Sequence, residues 1–465
     1  MPDESRRPWY RGMRGLVAAL LIVVFSTIAY GQATRWWRLR TQYLPLERQR
    51  AEQRQQLERP ATSAAPAASV RPSAPAAPDY WTDFRGPKRD GEYRERPIAT
   101  DWSAGLQPKW KQPIGLGYAS FAVGGGRAYT IEQRRNKEVV AAYDVQTGRE
   151  LWTNSWTAEF RESMGGDGPR ATPTFHENRV YALGAEGELR CLDAATGSQI
   201  WRTNILQDAG ADNIQWGMSA APLIVDNTVV TQPGGKNGAS IVAYDKLTGK
   251  RLWQSLNDGA SYTSPMLVML AGRRQILTVT AARAVGLVPE DGSLIWEFPW
   301  ENHARINVAQ PVLIDPNRVF LSASYDKGAA LIEISAQSNV LSARELWANN
   351  QMKNRFQTSV LSGGYLYGLD EGILACLDAN TGERKWKGGR YGYGQVLLAS
   401  GHLIVMTEEG QLALVRATPD AFTEVARVDA LTGRSWNVPA FADGLLLVRN
   451  ASEMAAYDLT VKSER

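Results

Sequence analysis

The sequence has little of the residues from which metal sites and disulfide scaffolds are built. Only two cysteines, Cys191 and Cys376, and three histidines occur among its 465 residues. Two cysteines exclude a disulfide-dense scaffold and any zinc site made of four cysteines. The chain also lacks the Cys-x-x-Cys-His, Gly-x-Ser-x-Gly and His-Glu-x-x-His patterns of haem attachment, serine hydrolases and zinc proteases. We therefore predict no metal site and assign no catalytic residue.

The sequence also lacks a basic surplus outside its N-terminal part. Residues 1–59 hold 11 Lys and Arg against 5 Asp and Glu, whereas residues 79–465 hold 40 against 43. A nucleic-acid-binding surface needs a basic surplus in the folded part of the chain. The formal net charge of +4 is thus a property of the N-terminus, and we expect no nucleic-acid partner.

One uncharged run of 19 residues lies near the N-terminus, at 16–34. At about 1.5 Å per residue, a helix of this length nearly crosses a hydrocarbon core of roughly 30 Å. Aromatic pairs at 9–10 and 36–37 flank it, as is typical of membrane-interface belts. We expect an uncleaved, single-pass anchor in the inner membrane, with residues 1–15 in the cytoplasm and the rest in the periplasm. The alternative is a cleaved signal peptide with a small-residue site near 29–31.

A linker is predicted over residues 35–78. Residues 46–59 are strong helix formers without an apolar stripe, which is typical of a solvated stalk helix. Residues 60–78 contain 5 Pro and 8 Ala, a composition that forms an extended spacer and cannot build a core. The remaining residues, 79–465, are predicted to form one large folded domain.

The folded domain repeats one eleven-residue motif, in which Thr-Gly starts three residues after an Asp and a Trp follows eight residues after it. The four complete copies are AYDVQTGRELW at 142–152, CLDAATGSQIW at 191–201, AYDKLTGKRLW at 243–253 and CLDANTGERKW at 376–386. Each copy follows a pair of β-rich runs. A period of about 40–50 residues with four strands each is typical of propeller blades. We predict an all-β fold, an eight-bladed β-propeller, preceded by one N-terminal transmembrane helix.

The motif residues are assigned to the fold. The Asp can accept hydrogen bonds from the following turn, the Gly supplies positive φ, and the Trp packs on the neighbouring blade. The residues so assigned are Trp110, Asp144, Trp152, Asp193, Trp201, Asp245, Trp253, Trp296, Trp347, Asp378, Trp386 and Asp458. Trp110 has no Asp-Thr-Gly before it and Asp458 has no Trp after it, so we expect the two chain ends to share one blade. Cys191 and Cys376 occupy the same slot in two repeats and are predicted to be buried core residues.

The repeated Ala-x-Asp-x-x-Thr-Gly-x-x-x-Trp pattern resembles the tryptophan-docking motif of the pyrroloquinoline-quinone-like eight-bladed propellers. The segments at 81–91, 166–173 and 325–334 look most like the uncharacterised single-propeller bacterial members of that family. The chain is also similar to the scaffold lipoprotein of the outer-membrane barrel-assembly machinery. The resemblance specifies the fold and leaves the function open, and the departures from the family's enzymes favour a binding or scaffold module without a cofactor. The alternative is a quinoprotein alcohol dehydrogenase with pyrroloquinoline quinone and calcium, but the adjacent cysteine pair of those enzymes is absent here.

The candidate binding site is the funnel mouth, which the residues just before each blade's inner strand should face. The candidate ligand-binding or partner-binding residues there are Asp167, Arg170, Trp216, Tyr262, Asn307, Tyr391, Tyr393, Trp436 and Asn437. Aromatic and amide groups dominate this set, which suits a flat ligand or an extended peptide. We expect a protein or peptide partner at the funnel mouth or at the propeller rim.

Three alternatives stay open for this site. Asp167 and Arg170 could pair with each other and only brace their loop. Trp436 could be a displaced docking Trp, because VDALTGRSW at 428–436 is one residue short of the repeat motif. The ring as a whole could surround a water-filled channel that binds no ligand.

Overall fold

The computed structural model describes residues 81–337 and 340–461. The predicted membrane span at 16–34 and linker at 35–78 lie outside the described residues. The described part contains 33 strands in eight sheets and one short helix, α1 (Ile205–Ala209), which confirms the all-β eight-bladed propeller. None of its helical structure has the length and apolar character needed to cross a membrane. The strands β1 (Glu92–Tyr93) and β2 (Pro108–Pro113) come first in the chain and join later blades.

Blades 1 to 4 are four-stranded antiparallel sheets whose strands run outward from the channel in sequence order. Blade 1 consists of β3 (Ala122–Gly124), β4 (Arg127–Arg134), β5 (Lys137–Asp144) and β6 (Glu150–Thr157). Blade 2 consists of β7 (Thr174–His176), β8 (Arg179–Leu183), β9 (Glu188–Asp193) and β10 (Gln199–Asn204). Blade 3 consists of β11 (Leu223–Val225), β12 (Thr228–Thr231), β13 (Ile241–Asp245) and β14 (Arg251–Ser255). Blade 4 consists of β15 (Met266–Leu270), β16 (Arg273–Val279), β17 (Arg283–Leu287) and β18 (Leu294–Pro299).

Blades 5 and 6 repeat this arrangement, and blade 7 does so with β1 added beside its inner strand. Blade 5 consists of β19 (Val312–Asp315), β20 (Arg318–Ala323), β21 (Gly328–Gln337) and β22 (Val340–Asn349). Blade 6 consists of β23 (Val360–Ser362), β24 (Tyr365–Asp370), β25 (Ile373–Asp378) and β26 (Arg384–Arg390). Blade 7 consists of β27 (Gln395–Ala399), β28 (His402–Met406), β29 (Gln411–Arg416) and β30 (Glu424–Asp429). Cys191 and Cys376 are free and buried in blades 2 and 6.

Blade 8 closes the ring with strands from both ends of the domain. Its first three strands, from the channel outward, are β31 (Ala440–Ala442), β32 (Leu445–Arg449) and β33 (Glu453–Asp458). The N-terminal strand β2 forms its outer edge and pairs with β33, with Trp110 opposite Ala456. The two ends of the propeller domain therefore share one blade, as the incomplete motifs at Trp110 and Asp458 predict. Closure in this way leaves no gap between the first and last blades.

The repeated turn between the third and fourth strands docks each blade onto the one before it. In blade 2, Asp193 Oδ1 accepts hydrogen bonds from the Thr196 amide and hydroxyl, both at 2.8 Å. Gly197 has a φ of 73°, and a Cβ at this position would lie 2.4 Å from the Trp152 ring of blade 1. Trp152 Nε1 donates to Ala194 O at 3.0 Å. Glycine is thus required both by the backbone conformation and by the close approach of the Trp ring.

Residues 81–93, which we call the channel hairpin, occupy the central channel. Trp81 forms an antiparallel bridge with Val123 on the inner strand of blade 1. After a tight turn, β1 runs parallel to β27, the inner strand of blade 7. Inner strands line the channel of a propeller and all run in one direction along it. The hairpin therefore rises along blade 1 and returns along blade 7, and its tip points toward the mouth. A simple water-filled channel does not describe this structure.

The channel hairpin covers only part of the channel wall. All residues of β27, β31 and β3 are buried, because the hairpin packs against these blades. On β15 of blade 4, by contrast, Leu267 and Met269 are 37% and 58% exposed. The eight blades thus surround a channel whose inner strands are fully buried in blades 7, 8 and 1 and partly exposed in blade 4.

Candidate functional site

The segments that enter the inner strands converge at one end of the ring and form the mouth. Trp216 and Tyr262, which precede blades 3 and 4, lie with their ring centroids 5.5 Å apart. The Trp216 amide donates to Tyr262 Oη at 3.2 Å. Two of the predicted site residues therefore form one aromatic pair at the mouth.

A second aromatic group is built around Trp436, which precedes blade 8. Its ring centroid lies 5.5 Å from that of Tyr118 and 4.9 Å from that of Phe356. Trp436 Nε1 donates to Glu408 Oε1 at 3.0 Å. Phe356 in turn lies 5.4 Å from Tyr393. Trp436 is thus a mouth residue in this structure and does not act as a displaced docking Trp.

Two arginines pack against aromatic rings at the mouth. The Arg355 guanidinium lies 4.8 Å from the Tyr393 ring and 5.5 Å from the Tyr325 ring, and it donates to Tyr393 Oη at 2.8 Å. The Arg170 guanidinium lies 5.4 Å from the Tyr118 ring. We call the resulting set the mouth ring, and it consists of Tyr118, Arg170, Trp216, Tyr262, Tyr325, Arg355, Phe356, Tyr393 and Trp436. Every member is partly exposed, and all eight blades contribute.

Arg170 braces the loop that carries it and Asp167 through hydrogen bonds to backbone carbonyls. Arg170 donates to the carbonyls of Gly166 and Gly168, both at 2.7 Å. Asp167 Oδ1 accepts from the Glu162 amide at 3.1 Å. Burial lowers the pKa of Arg170, and the neighbouring Tyr118 opposes that shift. The Arg170 guanidinium is therefore held in one position, with its face against aromatic rings.

Four of the predicted site residues are buried and do not join the mouth ring: Asp167, Asn307, Tyr391 and Asn437. Asn307 is 2% exposed and donates from Nδ2 to the carbonyls of Thr280 and Trp300, both at 2.9 Å. Asn437 is 1% exposed and donates to Ala119 O at 2.9 Å. Tyr391 is 2% exposed. The amide donors of Asn307 and Asn437 thus bond within and between blades.

Tyr391 is held by the outer strand of blade 7. Its hydroxyl donates to Glu424, and the Arg427 guanidinium lies 5.0 Å from its ring. Burial, followed by the hydrogen bond to Glu424, raises the pKa of Tyr391 above its usual range. The structure thus places Tyr391 between two blades, away from Tyr393 in the mouth ring.

Sequence reasoning missed several mouth residues, in part because it considered only the segments before inner strands. The turns between second and third strands reach the same end of the ring. They carry Tyr325, Glu371 and Glu408 in blades 5, 6 and 7. Glu408 Oε2 accepts from the Tyr393 amide at 3.0 Å, and Glu371 accepts from the Ser324 hydroxyl. Aligning these turns between repeats would have found them, and they make the mouth richer in carboxylates than the sequence predicts.

The mouth does not offer the ligands of a calcium–quinone site. Within residues 81–337 and 340–461, no three His, Cys, Asp or Glu side chains converge so as to hold a metal ion. Calcium requires six to eight oxygen ligands, which several clustered carboxylates usually supply. Cys191 and Cys376 lie in different blades and cannot form an adjacent pair. The described residues therefore do not fit pyrroloquinoline quinone with calcium.

The fold and the docking turns together define the class: a pyrroloquinoline-quinone-like eight-bladed propeller. The family described as outer membrane protein assembly factor BamB matches residues 136–388, more than half of the chain. The chain belongs to this family. The resemblance inferred from the repeated motif is therefore confirmed.

Individual proteins are similar to the chain at low identity or over a short stretch. The quinohemoprotein alcohol dehydrogenase of Comamonas testosteroni is 32% identical over 127 residues, which cover 25% of this chain and 17% of that enzyme. The assembly factor BamB of Yersinia pestis is 20% identical over 310 residues, 64% of this chain and 76% of that protein. The crystal structure of BamB from Moraxella catarrhalis superimposes with a TM-score of 0.55 at 15% identity, covering 76% of this chain and 99% of that one.

The two kinds of relative match in different ways. The likeness to the dehydrogenase is local, since the chain spans only 17% of that enzyme's length. The likeness to the assembly factor extends over most of both chains. At 15% identity the superposition shows a shared fold alone.

Proposed function

We propose that this protein is a non-catalytic binding or scaffold propeller that captures a protein or peptide partner at its mouth. The observation that supports this most directly is the mouth ring, in which partly exposed aromatic and arginine side chains from all eight blades are held in fixed contacts. Aromatic and arginine side chains dominate the binding energy of protein interfaces. The relatives named as outer membrane protein assembly factors favour a role in the cell envelope.

Site-specific photo-crosslinking in cells tests this proposal. A benzophenone amino acid in place of Trp216 should trap the partner, because this position lies in the mouth ring. The matched control is Asn227, an exposed residue of the turn between β11 and β12 at the other end of the same blade. Equal products from both positions, or a product from Asn227 alone, would move the site away from the mouth.

We propose further that residues 16–34 anchor the chain in the inner membrane, with the propeller in the periplasm. The uncharged run and its aromatic flanks support this topology. Protease added to spheroplasts should then remove the propeller and leave a small membrane-held fragment. A mature protein that begins near Gln32 would show that the segment is a cleaved signal peptide.

The dehydrogenase alternative has its own test. The locally similar enzyme is a quinohemoprotein alcohol dehydrogenase, but the described residues of this chain offer no calcium ligand set. The purified chain mixed with pyrroloquinoline quinone and Ca²⁺ is expected to show no dye-linked oxidation of primary alcohols. Sustained turnover under these conditions would make the dehydrogenase assignment correct.

A further inference from the structure

One arginine of the channel hairpin lies directly beneath the mouth. Arg89 is only 3% exposed and forms an ion pair with Asp83 of the same hairpin, with Nη2 and Oδ1 2.9 Å apart. Its Nη1 donates to Ala221 O at 3.2 Å and to Pro265 O at 2.8 Å. Its Nη2 donates to Pro222 O and to Thr174 Oγ1. One guanidinium therefore connects the hairpin to blades 2, 3 and 4.

The groups that Arg89 contacts belong to the segments that carry the mouth ring. Ala221 and Pro222 end the segment that begins at Trp216, and Pro265 ends the segment that begins at Tyr262. These segments are also connected to each other, because the Ala221 amide donates to Ser264 Oγ at 2.9 Å. A change at Arg89 thus reaches both members of the Trp216–Tyr262 pair through a few residues of buried backbone.

We propose that Arg89 is a positioning residue for the mouth, through which the channel hairpin sets the geometry of Trp216 and Tyr262. A guanidinium carries five N–H donors in a fixed planar arrangement, so it can hold carbonyls of two blades and a carboxylate at once. No repeat unit supplies this group, since the hairpin occurs once in the part of the chain that the structure describes. The mouth is therefore organised by a segment outside the propeller repeat. The relevance of Arg89 to partner capture rests on the function proposed above, but its effect on mouth geometry does not.

A matched control exists on the other side of the ring. Arg449 of β32 is 1% exposed and donates to Thr130 Oγ1 at 2.7 Å and to Gly115 O at 3.0 Å. It is as buried as Arg89 and also holds backbone carbonyls. It lies next to the segment of Tyr118, at the Trp436 side of the mouth. Within residues 81–337 and 340–461, none of its side-chain hydrogen bonds ends on the Trp216 segment.

Fluorine NMR of the full chain labelled with 5-fluorotryptophan tests the proposal. The Trp216 and Trp436 resonances are assigned with Trp216→Phe and Trp436→Phe. Arg89→Met is expected to displace the Trp216 resonance and leave that of Trp436 in place, whereas Arg449→Met should leave Trp216 in place. The proposal would be overturned if both variants had a lower melting temperature but Arg89→Met did not move the Trp216 resonance. Arg89 would then be a stabilising residue only.

A second variant covers the case in which Arg89→Met does not fold. Arg89→Lys keeps the charge beside Asp83, but a single ammonium cannot hold carbonyls of both blades in the same geometry. Its Trp216 resonance should also be displaced, and an unmoved resonance would contradict the proposal. Photo-crosslinking yields of the same variants test the binding function separately: a displaced resonance with unchanged crosslinking supports the positioning role and argues against capture at Trp216.

Discussion

The docking turns and the channel hairpin both stabilise the ring, but they differ in how many blades each one contacts. A docking turn joins two neighbouring blades and recurs around the ring, as Trp152 against Gly197 and Trp201 against Gly249. Among the described residues the channel hairpin occurs once, and it contacts several blades through Trp81, Arg89 and β1. Loss of one docking contact is therefore a local change, whereas loss of one hairpin contact affects several blades. The comparison indicates that the repeat specifies the ring and that a single-copy segment organises its interior.

The largest effect is expected from truncating the hairpin's buried Trp. Trp81 is 1% exposed and lies 5.9 Å from the Phe441 ring of blade 8 while bridging to blade 1. Trp81→Ala should lower the free energy of unfolding by about 3–5 kcal/mol, because it leaves a large cavity at the centre of the ring. Urea unfolding of the full chain measures this. A loss of less than about 1 kcal/mol would show that the hairpin is not part of the cooperative core.

The next effect concerns two carboxylates with opposite pKa shifts. Side-chain hydrogen bonding to Thr196 lowers the pKa of Asp193 in a docking turn. Burial between blades 1 and 2 raises the pKa of Glu138 from 4.5 to about 7, and the Ala185 amide that donates to it opposes this shift. Because the folded-state pKa of Glu138 is raised, its contribution to stability is full below about pH 4.5 and is lost as the pH rises to about 7.

Glu138→Gln tests this assignment. The wild type should lose stability between about pH 5 and pH 8, by up to roughly 2–3 kcal/mol from this group. The variant should show a smaller loss over the same range, because it has no carboxyl group to ionise. Chemical denaturation at the two pH values measures the difference, and an identical pH dependence in both proteins would refute the role of Glu138.

A smaller effect separates two docking Trp residues. Trp201 Nε1 donates to Lys246 O at 2.9 Å. Trp253 Nε1 is buried and has no hydrogen-bond partner among the described residues. Trp201→Phe should therefore cost about 1 kcal/mol more than Trp253→Phe, the value of one buried hydrogen bond. Equal losses in urea unfolding would mean that ring packing alone stabilises the docking turns.

The smallest effect is expected on the side of the channel that the hairpin leaves uncovered. Met269 is 58% exposed on the inner strand of blade 4. Met269→Ala should change the free energy of unfolding by no more than about 0.5 kcal/mol, as for other exposed positions. A loss close to that of Trp81→Ala would show that this wall is also covered in solution.

The repeat made most of the fold predictable. The spacing of Asp, Thr-Gly and Trp predicted the blades, and the incomplete motifs at Trp110 and Asp458 predicted the shared blade. The channel hairpin was not predictable in this way, because residues 81–93 contain no repeat and only two of them form a strand. Their position depends on long-range contacts such as those of Arg89 with blades 3 and 4.

The site was predictable in part. Trp216, Tyr262, Tyr393, Trp436 and Arg170 precede inner strands and lie in the mouth ring. Asn307, Tyr391 and Asn437 have similar positions in the sequence, but their polar groups bond within and between blades and are buried. The position of a residue relative to a strand predicts at which end of the ring the residue lies. The direction of its side chain depends on neighbouring loops, which differ from blade to blade.

The most direct test of the account compares one variant of each region for both stability and capture. Capture of the partner found by photo-crosslinking is measured as Kd, together with the urea midpoint, for Trp216→Ala/Trp436→Ala and for Trp201→Phe. We expect the mouth variant to weaken capture by about 1–3 kcal/mol, and the docking variant to lower the midpoint with unchanged capture. Unimpaired capture by the mouth variant would contradict the claim that the single-copy residues of the mouth carry the function.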